Sequence, residues 1–244
     1  MAVCLACGTE NVEDESLCVD CGTPLAIDHQ YEIRRFATVV NSDLKGSTAL
    51  GERLDPESLR ELLTRYFDEM RYVYESHGGT IEKIIGDAVV AVFGLPQPRP
   101  DDAIRAVEAA AESLSVLADL NDEFERTWGV RLVVRTGVAT GDVVVGEALA
   151  GQHVLTGDTM RISSAMEQNA PPLELLIADS TYALVQEQVI SGIRRVFKQL
   201  SGRRPNVVAH VLRASRNLRT DKFNTKYLIS MLTFGSCTLG RPRD

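Results

Sequence analysis

Two aspartates in the first half of the chain follow β-rich runs, a placement that suits metal-assisted chemistry. Asp43 ends the run FATVVNSD, and Gly46 and Ser47 follow on the way to a helix. A carboxylate beside unpaired N–H groups at a helix start suits a metal ion and a phosphate together. Asp87 occupies the tip of a predicted hairpin, IIGDAVV. Each aspartate alone reads as a turn or capping residue. In a β-α-β-β unit the two aspartates would lie on neighbouring strands. Together they predict a site that holds two Mg²⁺ or Mn²⁺ ions for phosphoryl transfer.

Four cysteines near the N-terminus have the spacing of a structural metal site. They form two C-x-x-C pairs, each followed by a glycine: Cys4 with Cys7, and Cys18 with Cys21. Four thiolates are enough for one tetrahedral Zn²⁺, and the glycines allow the tight turns that aim the sulfurs at it. Two unrelated redox pairs or buried free thiols are the alternative. We predict a zinc ribbon over residues 1–27, whose purpose beyond folding stays open.

The composition is that of one full-sized globular domain with a small accessory piece. The chain has 244 residues, of which 44% are apolar and 25% charged. Its net charge of −8 argues against nucleic-acid binding, because phosphate contacts need a basic surface. No apolar run has the length of a membrane span, and the N-terminus lacks a secretory pattern. We therefore expect a cytoplasmic protein without a membrane partner.

Apolar periodicity predicts the elements that position the two aspartates. A strand over residues 36–43 precedes a long amphipathic helix that starts at Pro56, and TIEKII and AVVAVFG then form a hairpin. A second long helix ends at Trp128, after which VRLVVRTGVAT and DVVVGE read as a strand pair around Gly141. This β-α-β-β-α-β order with additions predicts an α+β fold whose helices cover one face of a mostly antiparallel sheet.

The segment TGDTMRISSAMEQ opens the C-terminal part of the predicted domain. It reads as a turn and then an amphipathic helix, whose apolar side carries Met160, Ile162 and Met166. LELLIA, a short helix near residues 179–187, IRRVFKQL and a strand VVAHVL follow. Residues 214–244 form a tail with six Arg or Lys against two Asp, and its role as a free tail, a partner-binding segment or part of a larger architecture stays open.

The runs FATVVNSDLKGSTALGERLDPESL, HGGTIEKIIGDAVVAVFG and VRTGVATGDVVVGE resemble the catalytic domain of the class III adenylate and guanylate cyclases. The resemblance covers roughly residues 33–213, and the zinc ribbon resembles the one that precedes this domain in many bacterial multidomain relatives. It implies a ferredoxin-like βαββαβ core with extra strands, which pairs head-to-tail as a homodimer or as a heterodimer with another cyclase domain. The active sites are then expected in the dimer groove.

The resemblance also implies roles for individual residues. Asp43, Asp87 and the backbone of Leu44 fall on metal-binding positions. The segment that cradles the triphosphate matches Leu44, Lys45, Gly46, Ser47 and Thr48. Lys83 falls on a base-selecting lysine, which favours ATP because lysine cannot accept the guanine N1–H. Arg135 and Arg203 match phosphate-binding basic residues. Without the resemblance, Lys83 would read as a solvated charge on a strand edge and Arg135 as a salt-bridged surface residue.

One half of the implied site is degenerate. The segment TGDTMRISSAMEQ is similar to the family's VNVAARLE, whose Asn orients the ribose and whose Arg stabilises the transferring phosphate. Arg161 and Ala165 stand at these positions, and Val154 stands where Asp or Thr often reads adenine. Alanine donates no hydrogen bond, and losing such a transition-state contact costs roughly 10²–10³ in rate.

Two functions are therefore open. The first is a weak adenylate cyclase in cyclic-nucleotide signalling, which makes cyclic AMP and pyrophosphate. The second is a pseudo-cyclase that binds a nucleotide and regulates or completes a partner. A nucleic-acid adaptor is a third class, which the acidic charge disfavours.

Overall fold

The structure is a computed structural model that describes residues 2–4, 6–12, 17–23, 33–148, 152–197 and 207–215. Arg203 and the predicted tail beyond Ser215 lie outside the described residues. The chain divides into two compact units. One comprises Met1–Ile33 with Val145–Val154, and the other comprises Arg34–Val144 with Leu155–Asp244. In the first unit, β1 (Ala2–Val3) pairs antiparallel with β2 (Glu10–Asn11).

The other strands are β3 (Ile33–Leu44), β4 (Thr80–Ile85), β5 (Ala88–Phe93), β6 (Val134–Ala148), β7 (Gln152–Thr156), β8 (Leu175–Ala178), β9 (Val189–Phe197) and β10 (Val207–Ser215). They form a mixed sheet in the order β4-β5-β3-β6-β8-β10-β9, with β7 paired to β6. The helices are α1 (Ser47–Arg53), α2 (Pro56–Ser76), α3 (Asp102–Trp128), α4 (Asp158–Asn169) and α5 (Asp179–Val185). Strands β4-β5-β3-β6 with α2 and α3 form the predicted ferredoxin-like core, which confirms the α+β fold.

Residues alternate between two faces along the central strands. Ser42 of β3 reaches the helix α2, where its hydroxyl lies 2.8 Å from the hydroxyl of buried Tyr74. The adjacent residue Asn41 reaches α4 on the other face, where its amide donates to Ser163 at 2.8 Å. Because strand side chains have a period of two, Asp43 lies on the same face as Asn41. The structure therefore directs Asp43 away from the main core and towards the α4 side.

Helices cover both faces of this sheet, and not one face as the periodicity suggested. The main core, between the sheet and α2, α3 and α5, buries Val40, Phe124 and Val185. A second, smaller cluster lies on the opposite face, where Met166 of α4 packs against Leu176 of β8. All four residues of β8 are buried, as expected for a strand covered on both sides. The α4 helix thus shares a face with Asp43.

The predicted strand pair around Gly141 is wrong, because residues Val134–Ala148 form one continuous strand. A Cβ at Gly141 would lie 2.8 Å from Oγ1 of Thr159 on α4, so this glycine marks a close approach and not a turn. The apolar side predicted for α4 also differs. Met166 is buried but Met160 and Ile162 are only half-buried.

Local signals explain the long helices. The Asp55 carboxylate accepts a hydrogen bond from the backbone N–H of Ser58 at 2.9 Å and caps α2, and Pro56 occupies the first helical position. Gly129 ends α3 in the left-handed region with φ 66°. Among the described helices, none is long and apolar enough to cross a membrane.

Candidate active site

Asp43 and Asp87 lie side by side at one end of two neighbouring strands. Strand β3 pairs antiparallel with β5, and Asp43 is in register with Ala88, the residue after Asp87. The turn between β4 and β5 places Gly86 at φ 61°, a conformation that glycine adopts without strain. Burial raises the pKa of Asp43, and the neighbouring charge of Asp87 adds to that rise, while a hydrogen bond from Arg135 opposes it. The structure thus brings the two predicted carboxylates together.

Arg135 enters this cluster from β6 and contacts three groups. Its Nη2 donates to Oδ2 of Asp43 at 2.9 Å and lies 2.8 Å from Oε1 of Glu167 on α4. Its Nη1 donates to the backbone carbonyl of Gln168 at 3.3 Å. With a side chain only 24% exposed, Arg135 is a half-buried bridge between two elements and not a surface residue.

A glycine holds α4 against β6 beside this bridge. A Cβ at Gly137 would lie 2.2 Å from the backbone nitrogen of Glu167 and 2.4 Å from the carbonyl oxygen of Ser163. The backbone of α4 therefore rests directly on the strand, two residues from Arg135 on the same face. This contact fixes the position along β6 at which Glu167 contacts Arg135.

The cluster carries more negative than positive charge. Asp43, Asp87 and Glu167 face the single guanidinium of Arg135. Burial raises the pKa of Glu167 to about 7, with the two aspartates adding to the rise and Arg135 opposing it. Asp43 and Asp87 are close enough to interact, and carboxylate oxygens are the ligands that Mg²⁺ and Mn²⁺ prefer. The residues present therefore fit a divalent cation.

The predicted phosphate segment follows Asp43 as a turn into α1. The side chain of Leu44 is buried in the main core, so only its backbone faces the site. The N–H of Lys45 donates to the carbonyl of Val133 at 2.7 Å. Gly46 stands at the start of α1 with φ 80°, and Ser47 is the first helical residue. Thr48 belongs to α1, and its side chain lies outside the described part.

Lys83 shares the sheet face of the two aspartates. It lies opposite Val90 in the β4–β5 pair, and Val90 lies opposite Asn41 in the β3–β5 pair. A register irregularity between Ile81 and Lys83 lets both Ile81 and Ile84 pack on the main core. Lys83 is therefore half-buried on the Asn41 face and is not a fully solvated charge.

Arg161 and Ala165 lie on the opposite side of α4 from Glu167. The side chain of Arg161 is 41% exposed, and its Nη2 donates to Oδ1 of Asp158 at 3.2 Å. The buried side of α4 carries Ser163 and Glu167. Because Cα–Cβ bonds in a helix tilt towards its N-terminus, Arg161 extends towards Asp158 and away from Ala165. The two positions therefore face away from this chain's own Asp43.

Residues 30–214 match the family described as the adenylate and guanylate cyclase catalytic domain. The chain belongs to this cyclase family. The adenylate cyclase of Mycobacterium tuberculosis strain H37Rv is 27% identical over 156 residues, which are 63% of this chain and 34% of that protein. The chain thus spans about a third of the length of that relative. The receptor-type guanylate cyclase gcy-23 of Caenorhabditis elegans is 30% identical over 139 residues, which are 56% of this chain and 13% of that protein.

Solved structures of cyclases share the fold of this cyclase domain. The guanylyl cyclase Cya2 matches with a TM-score of 0.72 and 28% identity, over 78% of this chain and 97% of that one. The adenylyl cyclase CyaB from P. aeruginosa matches with a TM-score of 0.71 and 30% identity, over 77% of this chain and 98% of that one. Relatives of both kinds are similar to the cyclase domain, so similarity alone does not choose between adenine and guanine.

The cysteines of the first unit converge on one point. Their sulfur atoms, from Cys4, Cys7, Cys18 and Cys21, all lie within 4.8 Å of one another. The Cys7–Cys18 and Cys4–Cys21 sulfur pairs are 3.5 and 3.6 Å apart, close to the roughly 3.8 Å between thiolates on a tetrahedral Zn²⁺. The backbone N–H of Cys21 lowers the pKa of Cys18 to about 6, which favours the thiolate that a metal binds. This geometry fits a tetrahedral metal site.

Both cysteine turns repeat one set of hydrogen bonds. The N–H of Gly8 donates to the carbonyl of Cys4 at 2.8 Å, and that of Gly22 to the carbonyl of Cys18 at 2.9 Å. Each turn ends in a threonine, and Cys4 and Cys18 donate their N–H to the carbonyls of Thr9 and Thr23. The repeat C-x-x-C-G-T is visible in the sequence, and its threonines signal these turns as its glycines do.

Glu167 is the site residue that the sequence reasoning missed. It falls four residues after Ser163, a buried position of α4, and three before the buried Ala170 that follows the helix, so it occupies the stripe that faces the sheet. A carboxylate in such a stripe signals a buried partner, because charged groups are rarely buried unpaired. Two predicted positions remain without a side-chain description: Val154 lies in β7 with its side chain outside the described part, and Arg203 lies outside the described residues.

Proposed function

We propose that this cyclase domain converts ATP to cyclic AMP and pyrophosphate, with low activity, at sites formed between two chains. The convergence of Asp43 and Asp87 on one face, with Arg135 beside them, carries the proposal. These are the positions that the family resemblance assigns to metal and phosphate binding. The adjacent turn into α1 supplies backbone N–H groups for the triphosphate.

Asp43, Asp87 and the backbone of Leu44 would hold two Mg²⁺ or Mn²⁺ ions. Bound there, the ions lower the pKa of the ribose 3′-hydroxyl and neutralise the leaving pyrophosphate. The chain's own part is to place acceptor-only oxygens together, and the partial burial of Asp43 strengthens the electrostatic interactions that its carboxylate makes. Lys83 presents a donor without acceptor capacity on the same face, which favours adenine over guanine.

Low activity follows from the outward side of α4. Because Arg161 and Ala165 face away from Asp43 of the same chain, they would complete the metal half of a second chain. Ala165 donates nothing there, and Arg161 is directed towards Asp158. A homodimer would therefore carry two weak sites. A heterodimer with an intact cyclase domain would use the metal half of this chain in one good site.

The second candidate function is a pseudo-cyclase that binds nucleotide and regulates a partner. The observation that favours it is the same: the described part of α4 has no donor at position 165 and holds Arg161 one turn away. In this case Asp43 and Asp87 retain Mn²⁺–nucleotide binding, and turnover is absent. Binding and turnover assays on the same variants separate the two functions.

The test is cyclic nucleotide production by purified protein with Mn²⁺–ATP and Mn²⁺–GTP, beside Asp43→Asn and a matched control. Asp122→Asn makes the same chemical change at a half-exposed position on α3. We expect slow cyclic AMP production by the wild type and by the control, and none by Asp43→Asn. A silent wild type that binds Mn²⁺–ATP through Asp43 supports the pseudo-cyclase. A wild type that neither turns over nor binds Mn²⁺–ATP contradicts both functions.

For the first unit, we propose that the four cysteines hold one structural Zn²⁺. The two matching turns and the short sulfur separations support this. Such an ion would stabilise a small unit in which the buried cluster among the described residues consists of Cys4 and Cys18. Metal analysis of the purified protein should give one zinc per chain, lost in Cys18→Ser.

A further inference from the structure

One nitrogen of Arg135 is shared by two carboxylates from different elements. Its Nη2 lies 2.9 Å from Oδ2 of Asp43 on β3 and 2.8 Å from Oε1 of Glu167 on α4. The contact with Asp43 has hydrogen-bond geometry. Within the described residues, Oε1 of Glu167 and Nε of Arg135 accept and donate no hydrogen bond, although both atoms are buried. The two groups therefore have unused pairing capacity for each other.

Resting on the proposed metal pair at Asp43 and Asp87, we infer that Glu167 is a positioning residue that draws Arg135 off Asp43 when a divalent cation binds. With a cation held by Asp43, the guanidinium of Arg135 would face a like charge, and Asp43 would be less available as its acceptor. Arg135 then keeps Glu167 and the Gln168 carbonyl, both on α4. A small rotation satisfies the unused Nε and Oε1 together in a two-pronged guanidinium–carboxylate pair.

The packing of α4 on β6 holds Glu167 at a fixed position beside Arg135. Gly137 lets the α4 backbone lie directly on β6. This contact fixes the position of the helix relative to the strand that carries Arg135. The side chain of Glu167 is only 8% exposed, which leaves its charge poorly solvated without Arg135. Metal binding at Asp43 is thereby coupled to the contact between Arg135 and Glu167 of α4. The outward side of the same helix carries Arg161 and Ala165.

Removal of Glu167 should therefore act through Arg135. In Glu167→Gln, Arg135 keeps the Gln168 carbonyl but has Asp43 as its one carboxylate partner among those described, and it competes with the metal ion for that carboxylate. The alternative is that Glu167 attracts the ion directly by its negative charge. The two explanations differ in a background without Arg135: the positioning effect vanishes there, whereas the direct charge effect persists.

The experiment measures the dissociation constant of Mn²⁺ alone, by electron paramagnetic resonance of the free ion, in four proteins. These are the wild type, Glu167→Gln, Arg135→Gln and the double variant. Glu69→Gln is the matched control, because it removes a carboxylate from an Arg–Glu pair on α2, across the sheet. We expect Glu167→Gln to weaken Mn²⁺ binding about tenfold, the size of one charge-assisted hydrogen bond. In the Arg135→Gln background the same change should alter binding less than about twofold.

Two further results complete the test. Glu167→Asp keeps the charge but shortens the side chain by one methylene. If Glu167 acts by positioning Arg135, this variant should bind Mn²⁺ more weakly. If Glu167 acts by its charge alone, Mn²⁺ binding should be unchanged. This variant also serves where Glu167→Gln does not fold. A Glu167→Gln effect of equal size with and without Arg135 overturns the inference and leaves the proposed function standing. If the wild-type protein binds no Mn²⁺, or if it binds Mn²⁺ no more tightly than the Asp43→Asn variant does, the proposed metal site is overturned and the inference with it.

Discussion

Gly137 offers a test of how α4 packs against β6 beside the proposed active site. The residue lies within β6, and its φ is outside the left-handed region, so alanine can adopt its backbone conformation. The restriction is steric alone. An added Cβ would lie 2.2 Å from the backbone nitrogen of Glu167, 2.4 Å from the Ser163 carbonyl oxygen and 2.7 Å from Cβ of Met166. Two of these three neighbours are main-chain atoms of a helix, which cannot rotate away.

The geometry sets the expected cost of Gly137→Ala. To reach ordinary contact at 3.4 Å from a start of 2.2 Å, α4 must move by the difference, 1.2 Å, against the packing of Met166 on β8. Overpacking of this kind costs about 1–3 kcal/mol when side chains can yield. Since backbone must yield here, we expect a loss of about 3 kcal/mol in the free energy of unfolding, a large part of the roughly 5–15 kcal/mol of a typical domain.

Equilibrium denaturation with urea, followed by circular dichroism, measures this loss beside two control glycines. Gly141→Ala meets only the hydroxyl of Thr159, at 2.8 Å, and should cost about 1 kcal/mol. Gly51→Ala in α1 meets Leu59 at an ordinary 3.7 Å and should stabilise by about 0.5–1 kcal/mol. The reasoning is refuted if Gly137→Ala costs less than about 1 kcal/mol, or no more than Gly141→Ala.

Three further outcomes follow from the structure. Burial raises the pKa of Glu167 to about 7 from its usual 4.5, so the folded chain holds a proton that the unfolded chain has lost. The free energy of unfolding in EDTA should therefore fall as the pH rises from about 5 to 7, and Glu167→Gln should flatten that slope in urea titrations at each pH. Tyr74→Phe removes the hydroxyl that pairs with Ser42 at 2.8 Å and should cost about 1 kcal/mol in the same assay, whereas loss of less than about 0.3 kcal/mol would contradict the pairing. Zinc chelation should abolish protection of the first unit from proteolysis and spare residues 34–144, and unchanged protection would contradict a structural zinc.

Much of the core could be predicted because its signals are local in sequence. The β4–β5 hairpin has the predicted bounds around Gly86 and Asp87, and the two long helices end where capping residues and glycines stand. The proximity of Asp43 to Asp87 followed from the strand order of a β-α-β-β unit. In each case, spacing along the chain determines spacing in the fold.

The predictions from the sequence were wrong or incomplete where an element contacts residues that are far from it in the chain. Gly141 looked like a turn because glycine in a β-rich run has two meanings, and only the position of Thr159 on α4 separates them. The side of the sheet that α4 occupies is not encoded in the period of its own residues. For the same reason Glu167 went unnoticed, since its role depends on Arg135, which lies 32 positions earlier on another element.

The central claim is that the metal half of the cyclase site is intact while Arg161 and Ala165 leave the other half deficient. The most direct test is the rate of cyclic AMP formation from Mn²⁺–ATP by the double variant Arg161→Asn with Ala165→Arg, compared with the wild type. A restored transition-state donor should raise kcat by about 10²-fold with little change in KM, and Asp43→Asn should abolish the gain. A folded double variant with no gain in rate would contradict the claim.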